Sequence, residues 1–336
     1  MSINKVMKLT SQIPTNYRFN VTVVVVNYAT GYLLEASIIK LQKEAVQYQL
    51  NLNVIIVDNN SPDNSVVVIN DFIYSHRWQE WVELYSETEN HGFAKANNIA
   101  FKKVLYRNEC TSEEYILCLN PDAYITDGAI NELLLHASNN AQVGIVGSHL
   151  INENGTARAS CFNDPSALRE FQRGLQLGLI HRLFKEPTVS RKTSETIEKV
   201  DWVSGASFLF NTSVLKNTGL MDETFFLYFE EADFMRKVRT FNYDILSIPS
   251  SKVIHLAGQS TKIISGKSTV GKIQPYWYRS WRHYFMKNNG AIATWFIGCL
   301  WVLGRSVRNT VNYIKRVHNN DGHHIRDFIK YALLGK

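Results

Sequence analysis

Thr22 to Asp58 reads TVVVVNYATGYLLEASIIKLQKEAVQYQLNLNVIIVD, and the two ends of this stretch decide the fold. TVVVVN (22–27) and NVIIVD (53–58) are β-branched runs without apolar/polar alternation, the pattern of parallel strands buried on both faces. Both end on a polar residue, Asn27 or Asp58. Between them Leu33, Leu34, Ser37, Ile38 and Leu41 recur at helical spacing, and Thr30 stands where an N-cap belongs.

The alternation continues outward. SPDNS turns into a helix near 64–74, followed by a short strand at 81–85. NHGFAKANNIAFKKV (90–104) predicts a helix opening at Gly92, and EYILCL (114–119) a buried strand that stops at Asn120-Pro121-Asp122. Asp127-Gly128 starts another helix, ending near Asn139-Asn140, before a strand at 143–147. This is an α/β, doubly wound pattern, whose ligands sit beyond the strand C-termini, so Asn27, Asp58 and Asp122 should share one rim. The charged, Ser/Thr-rich stretch 185–199 is expected to be a mobile loop. DWVSGA (201–206) has the small residues that allow close approach of a ligand or another backbone.

The 336 residues, 45% hydrophobic, suffice for one large α/β domain and an appendage. Cys110, Cys118, Cys161 and Cys299 are far apart with no CxxC pair, which argues against a structural zinc or a disulfide framework. No apolar run of secretory length opens the chain. From Lys272 to Lys336 eleven Lys/Arg face two acids, a charge of +9, while the other 271 residues sum to −3. A basic tail on a near-neutral body points to an anionic surface, and no nucleic-acid motif accompanies it. The expected division is an N-terminal extension at 1–20, a catalytic domain at 21–265 and a helical, basic and apolar C-terminal extension at 266–336, with the boundary near Gly266 to Gly271. In that extension GAIATWFIGCLWVLG (290–304) is shorter than the roughly 20 residues that span a bilayer. With Trp277, Trp281, Trp295 and Trp301, and with Arg279, Arg282, Lys287, Arg305, Arg308, Lys315 and Arg316 flanking it, it suits the surface of a membrane. A helical hairpin packed on the catalytic domain, or on the partner in a homodimer, is the alternative.

Three polar sites in hydrophobic settings carry the chemistry. In FFLYFEEAD (225–233) Glu230, Glu231 and Asp233 follow an aromatic run, either as catalytic acids or as the acidic first turn of a surface helix. Asp122 and His255, the latter after SSKVI, could share a divalent ion, Mn²⁺ or Mg²⁺, that holds a diphosphate. The acids would then supply a general base.

VTVVVVNY, VIIVDNNSPDNS, NHGFAKANN, ILCLNPDA, VDWVSGASFLF, MDETFFLYFEEADF and VIHLAGQST occur in the order seen in family 2 glycosyltransferases. The set, covering about seven tenths of the chain, most resembles the bacterial rhamnosyltransferase subgroup. That resemblance implies a GT-A fold and inverting transfer of a sugar, L-rhamnose in the subgroup, from a nucleoside-diphosphate donor such as a dTDP- or UDP-sugar. It also implies a glycan acceptor carried on a polyprenyl diphosphate, in cell-surface polysaccharide synthesis at the cytoplasmic face of the membrane. By the same resemblance Asp58 contacts the nucleotide base beside Asn27 and Tyr28, and Asn90, Lys95 and Asn97 fall in the donor-binding block. Asn120-Pro121-Asp122 stands where the wider family has DxD, which makes Asp122 the metal ligand and Asn120 a neutral neighbour, with His255 completing the site. Trp202 and Gly205 lie in the block lining the donor sugar and acceptor. Glu231 matches the catalytic base, usually aspartate, and its longer side chain leaves room for Asp233 or Glu230 to share the role. Two other functions fit the pattern less well. A nucleotidyltransferase would need a Gly-rich basic phosphate loop where Asn27-Tyr28-Ala29-Thr30-Gly31 stands, and a nucleotide-sugar-binding protein without turnover would not need Asp122, Glu231 and His255 together.

Overall fold

The computed structural model describes residues 19–107, 114–176, 188–191, 194–256, 273–316 and 322–336. The first half runs β1 (Phe19–Asn27), α1 (Gly31–Tyr48), β2 (Leu50–Asp58), α2 (Ser65–Ser75), β3 (Val82–Ser86), α3 (Gly92–Arg107), β4 (Glu114–Leu119), β5 (Ala123–Ile125), α4 (Ala129–Ser138) and β6 (Val143–Ile151). Then follow β7 (Cys161–Phe162), α5 (Ala167–Leu175), β8 (Glu198–Lys199), β9 (Trp202–Val203), β10 (Ser207–Asn211), α6 (Thr212–Thr218), α7 (Glu230–Thr240), β11 (Asp244–His255), α8 (Pro275–Ile314) and α9 (Gly322–Asp327), closed by a π-helical turn at Phe328–Leu333.

The main sheet has the order β3-β2-β1-β4-β10-β6-β11-β5, with β8 added on β11. β3, β2, β1 and β4 are parallel, and Asn27 lies level with Asp58 across β1 and β2. β10 then enters antiparallel between β4 and β6, a reversal that the uniform apolar run SFLF does not announce. Val21, Val23 and Val25 point into one core beneath α1, α2 and α4, while Val24 points into the other, which includes residues of α3, α7 and α8. Burial on both faces is why these strands lack alternation.

Two expectations change, and a third lies outside the described residues. Thr30 occupies the N-cap position of α1 but its side chain accepts no helix N–H; its hydroxyl instead donates to Asn27 Oδ1 at 2.8 Å. The described part of 185–199 is tied down: Asn163 N donates to Val189 O at 2.7 Å, and Glu198 and Lys199 pair with Ser247 and Leu246. The boundary placed at Gly266 to Gly271 falls outside the described residues.

α8 is interrupted at Gly290 (φ 79°, ψ 171°). Before the break Tyr278, Trp281, Tyr284 and Phe285 are fully buried in the same core as the sheet. After it the helix crosses α5 so closely that a Cβ on Gly174 would stand 2.4 Å from Trp301 O, and one on Gly304 2.5 Å from Phe171 O. The opposite face stays open, with Ile292 89%, Phe296 60% and Trp295 56% exposed. Among the described residues α8 alone is long and apolar enough to cross a membrane, by length and composition, and a third of its most apolar window is buried in the fold.

Candidate active site

A cavity of about 690 Å³ opens at the strand ends, lined by residues from all three polar sites: Asn120 and Asp122 after β4, Glu230 and Glu231 of α7, and His255 at the end of β11. Its first wall grows from the β1/β2 corner. Asn27 Nδ2 donates to Asp58 Oδ2 at 2.7 Å, Ser61 Oγ donates to the same oxygen at 2.7 Å, and Ser61 N donates to Asp58 Oδ1 at 2.9 Å. Asn27 and Asp58 are thus buried beneath the wall, and Tyr28 is the corner residue that lines the cavity. Asn59, next to Asp58, also lines it and ties on the following loop: its Nδ2 donates to Asn90 Oδ1 at 2.9 Å, and its Oδ1 accepts from His91 N at 2.9 Å.

Asn90 and Gly92 continue the wall. Gly92 has φ 76°, and a Cβ there would lie 2.2 Å from Phe226 O, so only glycine brings α3 this close to the acidic segment. Phe93 N closes the contact by donating to Phe226 O at 2.7 Å. Asn97 is buried behind the wall, its Nδ2 donating to Phe93 O at 2.9 Å. Lys95 is half-exposed, 3.7 Å from Glu89, and is not a lining residue.

Asp122 Oδ1 and His255 Nε2 lie 3.1 Å apart, and Asn120 Nδ2 is 3.4 Å from the same imidazole nitrogen. This is a donor set of one hard oxygen and one imidazole nitrogen. Neighbouring ligands at about 2.1 Å around an octahedral ion stand roughly 3 Å apart, so the pair fits two positions of Mn²⁺ or Mg²⁺. Among the described residues no group of three or more His, Cys, Asp or Glu could hold a metal, so diphosphate oxygens and water would have to fill the other positions.

The acidic wall is strained and polar at once. Tyr228 and Phe229 both adopt left-handed backbone, φ 71° and 72°, at about 1–3 kcal/mol each for non-glycine residues. This turn delivers Glu230 and Glu231 to the cavity at the first turn of α7. Glu231 lies against the Gly205 backbone, and Glu231 Oε2 and Glu230 Oε2 are sealed from solvent without a hydrogen-bond partner. Burial raises the carboxyl pKa of both, and the charge of Glu231 raises Glu230 further, to well above its usual range. Tyr228 is pushed up to about 12, by burial first and then by Tyr276 and the two acids, so its hydroxyl keeps its proton.

Two more residues named with this site stand apart from it. Asp233 is buried against α8, 2.7 Å from Lys287 Nζ, and does not line the cavity. Trp202 stacks on Phe162 at 4.1 Å, donates from Nε1 to Asn163 O at 3.1 Å and is also absent from the lining. Gly205 is present, and a Cβ on it would meet Glu231 Oε1 at 3.4 Å. Sequence reasoning passed over Phe226, Tyr228, Gln274 and Tyr276. The first two lie inside the quoted aromatic run, whereas nothing in the sequence linked the start of α8 to the cavity.

A mixed, mostly parallel sheet flanked by helices, with a cavity of about 690 Å³ at its strand ends, is the architecture of the GT-A class. Residues 22–189, half of the chain, match the model of glycosyl transferase family 2, and the chain belongs to that family. It is 28% identical over 167 residues to the low-salt glycan biosynthesis hexosyltransferase Agl10 of Haloferax volcanii, spanning 49% of this chain and about half (49%) of that relative. It is 25% identical over 247 residues to the N-acetylglucosaminyl-diphospho-decaprenol L-rhamnosyltransferase of Mycobacterium tuberculosis, spanning 71% of this chain and 76% of the relative. The fold is shared with the mannosyltransferase PcManGT of Pyrobaculum calidifontis, solved with GDP-Man and Mn²⁺: TM-score 0.54, 15% identity, 94% of this chain and 82% of that one.

Proposed function

We propose that this family 2 glycosyltransferase moves a sugar with inversion from a nucleoside-diphosphate donor to a hydroxyl of a lipid-linked glycan, with Glu231 as the general base. The observation that carries the reading is Glu231 Oε2, a buried, unpartnered carboxylate oxygen on the cavity that Asp122 and His255 also line. Glu230 keeps its proton, because two buried carboxylates side by side cannot both ionise cheaply. Glu231 then takes the proton of the acceptor hydroxyl, with Gly205 leaving room for its carboxylate. The hydroxyl oxygen bonds to the anomeric carbon as the bond to diphosphate breaks on the opposite face, which inverts that carbon. Asp122 and His255 would hold a divalent ion, whose positive charge would offset that of the leaving diphosphate. Tyr28 and Asn90 face the donor, and the Asn27–Asp58–Ser61 corner keeps them in place.

The relative from M. tuberculosis supports L-rhamnose as donor sugar and a polyprenyl-diphosphate-linked acceptor. A lipid-linked acceptor calls for work at a membrane, and we assign it to the cytoplasmic face. Ile292, Trp295, Phe296 and Leu303 recur on the exposed face of α8, and Lys315 and Arg316 follow them. Transfer of radiolabelled sugar from dTDP-rhamnose, UDP-sugars or GDP-sugars to a polyprenyl-diphospho-GlcNAc acceptor, with Mn²⁺, is the direct test. Failure with every donor, while the protein binds the nucleoside diphosphates, would remove the transferase reading. Sedimentation with anionic liposomes tests the location: binding should fall about tenfold or more when Trp295 and Phe296 become Ser. Equal binding by that variant would detach the membrane from this face.

A further inference from the structure

The strained turn before Glu231 needs outside support, since left-handed backbone at two successive non-glycine residues persists only where the surroundings over-determine it. The support comes from one face of α8, along the whole of 222–233. At one end Asp222 Oδ2 accepts from His283 Nε2 at 2.9 Å and from Lys287 Nζ at 2.8 Å. In the middle Ser280 Oγ donates to Leu227 O at 2.9 Å, and Trp277 lies against Phe229 at 5.7 Å. At the other end Asp233 accepts from Lys287 Nζ at 2.7 Å and from Asn288 Nδ2 at 3.3 Å. Trp277, Ser280, His283 and Lys287 recur at intervals of three, three and four residues, so they share a helix face.

Among the described residues Lys287 alone joins both ends. We infer that Lys287 is a positioning residue for sugar transfer: by holding Asp222 and Asp233 at once, it fastens to α8 the segment that presents Glu231 to the acceptor. The inference rests on Glu231 being the base. It gives Asp233 a role the sequence did not suggest, that of an anchor facing away from the cavity. Both carboxylates raise the Lys287 pKa although partial desolvation works against them, and Asp222 is driven well below the usual carboxylate range even though burial opposes that shift. Without the ammonium two acids would face each other with one of them, Asp233, buried. The segment would then relax and carry Glu231 with it.

The test uses the full-length protein and two independent readouts. Amide hydrogen exchange in K287M should accelerate about tenfold or more across 222–233 while β1 and β4 keep wild-type protection. In the transfer assay kcat should fall on the order of tenfold to a hundredfold, with donor KM within about twofold, because displacement by about 1 Å is enough for such a loss. K287R, which keeps the charge, should recover much of both. Wild-type exchange and kcat in K287M overturn the proposal. So does a variant in which donor KM and kcat fail together and K287R does no better, since that is general loss of structure. If K287M does not fold, S280A, which removes only the bond to Leu227 O, should show the same changes at about threefold; wild-type values there overturn the proposal too. E231Q separates the two readings: full turnover in that variant removes the base assignment, and the exchange data still decide whether Lys287 fastens the segment.

Discussion

The cavity has two walls built on opposite terms. In the β1/β2 corner Asn27, Asp58, Ser61 and Thr30 bond to one another, and both oxygens of Asp58 have partners. In the acidic wall Glu230 and Glu231 each keep a buried oxygen without a partner, after two residues of left-handed backbone. A satisfied network is rigid and has nothing left to react with. An unsatisfied buried carboxylate is unstable where it stands, and a proton from a substrate hydroxyl relieves it. The first wall therefore suits binding and the second suits chemistry.

Substitutions that act on only one wall can break this contrast. Glu231→Gln removes the proton acceptor with little change of volume, and kcat is expected to fall about 10²-fold or more while donor affinity stays within about twofold. Single-turnover transfer and calorimetry together check it, and wild-type turnover would move the base to another residue. Asp122→Ala should weaken binding of a nucleoside diphosphate with Mn²⁺ about tenfold to a hundredfold. EDTA should have the same effect on the wild type and none on the variant; equal affinity with and without metal would remove the ion from the reading. Asp58→Ala acts on the satisfied wall, leaving Asn27 and Ser61 without their acceptor at about 1–3 kcal/mol. Chemical denaturation should register that loss, and kcat should fall much less than in Glu231→Gln. A larger loss of turnover than of stability would make this corner catalytic.

The satisfied wall was the more legible of the two. TVVVVN and NVIIVD gave strands and rim residues because burial on both faces writes itself directly into composition, and a strand's polar last residue marks its functional end. The reversal at β10 left no such mark, since a buried strand has the same composition in either direction. Glu230, Glu231 and Asp233 formed one acidic cluster in the sequence, yet α7 turns Asp233 toward Lys287 and the other two toward the cavity. That division depends on where α8 packs, more than fifty residues later, and nothing local encodes it. Gln274 and Tyr276 were missed for the same reason: they reach the cavity through the packing of α8, not through any motif. The α4 start at Asp127-Gly128 was visible, but its cap comes from Glu44, whose carboxylate accepts from Gly128 N and Ile130 N at 2.9 and 2.8 Å.

The smallest expected effect sharpens the contrast through pH. Burial, and then the charge of Glu231, raises Glu230 well above its ordinary pKa of 4.5. In the unfolded chain the same carboxyl loses its proton near 4.5, whereas the folded protein holds it to higher pH. Between those two values the unfolded state binds fewer protons, so stability falls as pH rises and levels off once the folded pKa is passed. Glu230→Gln cannot ionise and removes this slope. Wild type and variant should therefore run parallel below the ordinary value, and the variant should gain about 1 kcal/mol over roughly the first pH unit above it. Urea denaturation at a series of pH values measures the difference. A wild type that gains stability with pH over this window relative to the variant would mean that Glu230 is charged and paired in the folded state. The acidic wall would then be as satisfied as the corner it faces, and the distinction between a binding wall and a reacting one would fail.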